Sequence, residues 1–276
     1  MTAVFLDSTV VTALSLTLLT AIATGIGSLL AFLPGTGGRR FVSAALGLSS
    51  GVMVYVSLVD ILPESIEKCA HLHTPAIWAI AAFFLGMALM ALLDIALPGH
   101  SMHAHYDSGR AMTGGKPADP GLRDRLRRTG IVLAATIAVH NFPEGMATFV
   151  SALESLEVAV PLTVAICIHN IPMGMAMSTP LYYGTCSRRK AFLWSMCSGM
   201  AAVAGAVFAL LFLLPWWTPQ VEALCMAAVA GVMLYIVFDE LLPEAEAYGR
   251  HGFVMGGLVA GLAVMSLCLT LIGHGH

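Results

Sequence analysis

Apolar runs long enough to cross a lipid bilayer recur along this whole chain. A hydrocarbon core of ~30 Å needs roughly 20 mostly apolar residues at ~1.5 Å of helical rise each. Inside that core each backbone N–H and C=O must find a partner within the protein, which a helix supplies from its own ladder. We read eight such spans, at 10–33, 41–62, 75–97, 130–152, 157–180, 189–214, 221–242 and 252–273. Charged residues are 11% of the chain and apolar residues 58%, against about 25% charged in soluble domains. The fold class is all-α: a polytopic membrane protein of eight transmembrane helices, one domain over 1–276.

With so few charges, their positions say more than the net charge of −3. Arg39 and Arg40 follow span one. Arg110, Lys116, Arg123, Arg125, Arg127 and Arg128 lie between spans three and four. Arg188, Arg189 and Lys190 follow span five, and Arg250 follows span seven. Eight spans put these twelve on one side and only Lys68, of thirteen basic residues, on the other. Basic loops stay cytoplasmic, so both termini are expected outside the cytoplasm, in the cytoplasmic (inner) membrane of a cell. The basic residues are too few and scattered for nucleic acid. The six cysteines show no C-x-x-C spacing and read as packing residues. The first run lacks a basic n-region and a clear cleavage site, so it reads as a retained span.

Two copies of one motif stand out. His140-Asn141-Phe142-Pro143-Glu144-Gly145-Met146-Ala147 in span four aligns without a gap on His169-Asn170-Ile171-Pro172-Met173-Gly174-Met175-Ala176 in span five. The chemically large difference is Glu144 against Met173. A second repeat, at an offset of 180, matches Gly51-Val52-Met53-Val54-Tyr55 with Gly231-Val232-Met233-Leu234-Tyr235, and Leu62-Pro63-Glu64 with Leu242-Pro243-Glu244. Both pairs of segments run in opposite directions. Opposed repeats mark inverted-topology transporters, whose sites lie near the midplane on helices interrupted by Gly or Pro. The motif helices are therefore expected to be the interrupted ones.

His140 and Glu144 share a helix face, one turn apart. Imidazole and carboxylate at that spacing suit zinc or a similar divalent ion. Pro143 and Pro172 free the carbonyls of Val139 and Ile168. Asn141 and Asn170 each offer an oxygen without added charge. The alternative is a set of interhelical hydrogen-bonding groups, but ionisable groups inside spans are expensive and point to function.

Asp60 and Glu64 near the end of span two, and Asp239 and Glu240 near the end of span seven, are candidates for metal entry or exit; solvation of helix ends is the alternative. The segment 98–128 reads as a cytoplasmic loop, and its His100, His103 and His105 either capture metal loosely or belong to a plain linker. Methionine favours softer metals, and only Met173 is in register with Glu144.

Together these residues resemble the ZIP (Zrt/Irt-like) family of zinc and iron transporters, nearest its bacterial uptake branch. The motif pair carries the resemblance, with Asp60-Ile61-Leu62-Pro63-Glu64 and Asp239-Glu240-Leu241-Leu242-Pro243-Glu244. It implies uptake of Zn2+ or related divalent ions toward the cytoplasm without ATP. It also implies a site between spans four and five that often holds two ions, alternating access of one bundle against another, and a homodimer. Two departures stand out. Met173 replaces a Glu that commonly bridges two ions, and Ser198-Gly199-Met200-Ala201-Ala202-Val203 in span six offers no acid. The expectation is one principal ion on His140, Glu144 and His169, supported by Asn141, Asn170 or water. Competing readings are a transport-impaired homologue or sensor and a soft-metal variant using Met173. No H-E-x-x-H motif supports a metalloprotease, no cofactor is called for, and the metal is cargo.

Overall fold

Each of the eight apolar runs forms one helix in the computed structural model, which describes residues 8–33, 39–96, 120–213, 216 and 218–273. The helices are α1 (Ser8–Leu30), α2 (Arg39–His71), α3 (Ile77–Ala96), α4 (Pro120–Glu154), α5 (Leu156–Thr185), α6 (Arg188–Phe212), α7 (Pro219–Ala247) and α8 (His251–Gly273). Seven are long and apolar enough to cross a membrane. Helix α4 falls short in hydropathy because its central turns carry His140, Asn141, Pro143 and Glu144. Those groups are turned inward: His140, Asn141 and Glu144 are buried. Large apolar side chains such as Leu85, Leu92, Val259 and Leu267 on α3 and α8 face outward, as a lipid-facing surface requires.

Some helices outrun the expected spans. Helix α4 begins at Pro120, so residues 120–128 are helical where a loop was expected. Pro120 itself opens the helix, where a missing N–H is harmless. Residues 97–119, with His100, His103 and His105, lie outside the described residues.

The helices sort into two groups by their extensive packing. Helices α1, α4, α5 and α6 form one, and α2, α3, α7 and α8 the other. Glycines set the closest approaches. A Cβ on Gly27 would strike Ile171 O and one on Gly174 would strike Thr24 O, so α1 and α5 touch backbone to backbone. Gly205 meets Phe142 O and Gly145 meets Ala202 O in the same way between α6 and α4. These contacts are equivalent: Gly27 and Thr24 lie 178 positions before Gly205 and Ala202, and Phe142 and Gly145 lie 29 before Ile171 and Gly174. In the second group Gly51 meets Leu258 O as Gly231 meets Phe83 O. A pseudo-two-fold thus exchanges α1–α3 with α6–α8 and α4 with α5, the inverted repeat that the sequence shows. Small residues at such crossings let transmembrane helices pack without a hydrophobic driving force.

The interruptions are not where they were expected. Helices α4 and α5 run unbroken through Pro143 and Pro172. One proline removes one ladder bond, and the turns on either side hold each helix together. The irregular turns are instead π segments at Val56–Ile61 in α2 and Val237–Leu241 in α7, at equivalent places in the two repeats. Pro63 and Pro243 follow directly and sit in the first turn of the next α segment. A proline there cannot donate to the carbonyl four residues back, and the backbone answers with the wider turn. Such turns are common at functional positions. Here they carry Asp60 and Glu240.

Replacing Gly27 or Gly205 by Leu should lower the melting temperature of the detergent-solubilised protein to a similar degree, by overpacking worth about 1–3 kcal/mol. Gly256→Ala, with nothing within 4 Å of the added carbon, should leave it unchanged. Thermal-shift measurements on the three variants check this.

Candidate metal centre

Helices α4 and α5 are antiparallel neighbours, as Gly130 against Leu181 and Gly184 against Arg127 show. That arrangement brings the two motifs side by side. His140 and His169, related by the pseudo-two-fold, have ring centroids 6.0 Å apart. Glu144 reaches between them: its Oε1 is 2.9 Å from His169 Nε2 and its Oε2 is 3.9 Å from His140 Nε2. Ligand atoms of the three residues all lie within 4.8 Å of one another. In a tetrahedral shell with bonds of ~2.0 Å, ligand atoms stand roughly 3.3 Å apart, so a small inward shift closes them on one ion.

The centre is sealed. His140 and His169 are 1% exposed and Glu144 is 2%. Neither ring nitrogen of His140 has a hydrogen-bond partner. A carboxylate and two imidazoles at that depth are expensive to hold. The donor set offers a divalent cation one negative oxygen donor and two neutral nitrogens, a combination that zinc accepts. Among the described residues, this is the group of three His, Cys, Asp or Glu side chains whose ligand atoms converge.

The asparagines have a job beyond any ligand role. Asn141 Nδ2 donates to Ser198 O on α6 at 3.0 Å, and Asn170 Nδ2 donates to Thr20 O on α1 at 3.3 Å. These bonds are again equivalent under the pseudo-symmetry. They tie each motif helix to the partner that its glycine touches. The Oδ1 atoms of both asparagines stay buried without a hydrogen-bond partner, which leaves them able to accept from a bound water or face an ion. Ser49 Oγ donates to His169 O at 3.1 Å and links α5 to the other helix group. Met173, the counterpart of Glu144, is fully buried in the main apolar core.

The model of the family described as ZIP zinc transporter matches residues 6–94 and 99–269. The chain belongs to the ZIP zinc transporter family. ZIP proteins are transporters and not enzymes. Similar relatives include the zinc transporter ZupT of Akkermansia muciniphila, 45% identical over 92% of this chain and 95% of that protein. ZupT of Nitratidesulfovibrio vulgaris is 45% identical over 96% and 98%, and that of Chlorobium phaeovibrioides 46% over 94% and 97%.

The outlying acids of this ZIP protein fall at two places. Asp60 and Glu64 line a cavity of about 640 Å3 at the ends of α2 and α4 and the starts of α5 and α7. Their equivalents, Glu240 and Glu244, are buried at the far end of α7, where Tyr248 donates to Glu244 at 3.1 Å. Asp239 sits beside them on the π segment, partly exposed. The structure therefore does not bring Asp60, Glu64, Asp239 or Glu240 into the central cluster. Sequence reasoning missed Glu154 and Glu222, which line the same cavity. The available signal was their position at the ends of spans that the eight-span reading puts on the same side as Lys68.

Alanine at 140, 144 or 169 should weaken Zn2+ binding by more than the roughly 10–100-fold that losing a mere supporting partner of a ligand costs. Titration calorimetry on purified protein measures it.

Proposed function

We propose that this chain imports Zn2+, and related divalent ions such as Fe2+, Mn2+ or Cd2+, across the cytoplasmic membrane into the cytoplasm. The observation that carries this reading is the sealed triad of His140, Glu144 and His169 at the pseudo-two-fold of an inverted repeat. The ZupT name of the relatives supports zinc as the main substrate. Both termini lie outside the cytoplasm in this reading, because the basic residues then fall on the cytoplasmic side.

The ion passes by alternating access. Helices α1, α4, α5 and α6 carry the motif residues and move against α2, α3, α7 and α8. Asp60 and Glu64 concentrate cations at the outer mouth. Asp239 and Glu240 serve the cytoplasmic mouth, and His100, His103 and His105 lie on the receiving side. A homodimer fits the family resemblance.

One ion occupies the centre at a time. One carboxylate and two neutral imidazoles leave a bound dication with a net positive charge. A second dication beside it, in a low-dielectric site without a bridging acid, is strongly repelled. Met173 holds the place of that acid as an uncharged, buried side chain.

Reconstituted protein should take up labelled Zn2+, His140→Ala should abolish uptake, and Met173→Glu should raise the bound stoichiometry from one ion toward two. Binding without uptake would favour a sensor. A preference for Cu(I) that Met173→Glu reverses would favour a soft-metal carrier.

A further inference from the structure

The cavity at the outer mouth contains a lysine clamped between acids from two other helices. Lys68, near the end of α2, pairs with Glu222 in the first turn of α7 and lies 3.4 Å from Glu154 Oε2 at the end of α4. Asp60 and Glu64 line the same cavity. Four carboxylates thus line one cavity with a single ammonium group, and two of them pair with it. Glu222 is only 6% exposed, and its Oε2 has no hydrogen-bond partner. A buried carboxylate oxygen left without a donor lacks part of the compensation that its burial requires. Lys68 satisfies one oxygen of Glu222 and leaves the other.

The pseudo-symmetry makes the lysine more informative. Position 68 corresponds to position 248 at the other end of the molecule. There the side chain is Tyr248, fully buried, neutral and bonded to Glu244. Arg39 Nε donates to the Tyr248 carbonyl at 2.7 Å, fastening the start of α2 to the end of α7. Residues 68 and 248 thus both lie where α2 meets α7, the first through its side chain and the second through its backbone carbonyl. At the cytoplasmic end of the proposed topology the cation is Arg39 of the other helix, and the side chain at 248 is neutral. At the outer end the side chain at 68 is itself the cation, beside an acid-lined cavity.

We infer that Glu154 and Glu222 form a capture site for a divalent cation at the outer mouth, and that Lys68 occupies it as a tethered stand-in until the ion arrives. The site deepens the importer reading and rests on it for its purpose, although binding there can be measured without transport. Two carboxylates completed by water give a weak, hard-oxygen site. An ion of charge two outcompetes a single ammonium for the same oxygens, and the long stem of lysine lets the amine swing into the cavity. Because Glu154 is on one helix group and Glu222 on the other, an ion held by both replaces Lys68 as the link between the groups. The lysine sets a threshold: monovalent cations do not displace it, and divalent ions do.

The test uses full-length protein with His140→Ala and His169→Ala, which removes the central site, and with His100, His103 and His105 replaced by Ala, which removes the loop histidines. Titration with Zn2+ should show residual weak binding. Adding Glu154→Gln and Glu222→Gln should abolish it. Adding Lys68→Met instead should tighten it about tenfold, as expected on removing a competing charge at contact distance. The Lys68→Met, Glu222→Gln pair removes the competing amine but leaves only one of the two capture acids, and it should bind no better than the doubly neutralised acids. In the intact chain, acylation of Lys68 by an amine reagent, read by mass spectrometry, should speed up when Zn2+ is added. Residual binding that survives loss of both acids, or no binding even with Lys68→Met, would overturn the capture site. Either result would leave the central site standing. In the chain whose central site is intact, outer binding without any Zn2+ uptake would instead count against the importer reading.

Discussion

A carboxylate buried between two imidazoles is the constraint on which this structure turns. Glu144 lies in the middle of a bundle whose outer surface is apolar and has almost no access to solvent. An ionised carboxylate in such surroundings needs a positive partner. His169 stands at 2.9 Å and His140 at 3.9 Å, and a metal ion that all three share would compensate it better than either imidazole. The same accounting limits the centre. One carboxylate compensates one dication in part, and nothing at the symmetry-related position adds a second negative charge, because that position is Met173.

Everything near the centre serves to hold this trio in place. Four glycine contacts bring α1 against α5 and α6 against α4 at backbone distance. Two asparagine side chains then bond to the carbonyls of Thr20 and Ser198 on those partners. Contacts and bonds are both repeated by the pseudo-two-fold, so each motif histidine is presented by an equivalent frame. The frame is symmetric and the chemistry is not.

Much of this was legible in the sequence, for physical reasons. Apolar runs report helices because lipid leaves the backbone few alternatives. The offset of 180 reported the repeat, and the spacing of His140 and Glu144 reported a shared face. Other features were not legible. The prolines of the motifs suggested breaks, yet α4 and α5 pass through them, and the π turns arose before Pro63 and Pro243 instead. Which proline bends a helix depends on what surrounds the freed carbonyl, and a sequence does not show that. The asparagines read as spare ligands because their interhelical bonds exist only once α1 and α6 are in place. Lys68, Glu154 and Glu222 are far apart in sequence and meet only through the fold.

X-ray absorption at the zinc edge of the Zn2+-loaded protein tests the central claim most directly. The account predicts a single ion with nitrogen and oxygen neighbours at about 2.0–2.2 Å, multiple scattering from two imidazoles, and no second metal nearby. A sulfur neighbour at about 2.3 Å would place a sulfur ligand on the ion. A metal–metal vector of about 3.5–4 Å would show a paired site. Either result would contradict a lone ion held by His140, Glu144 and His169.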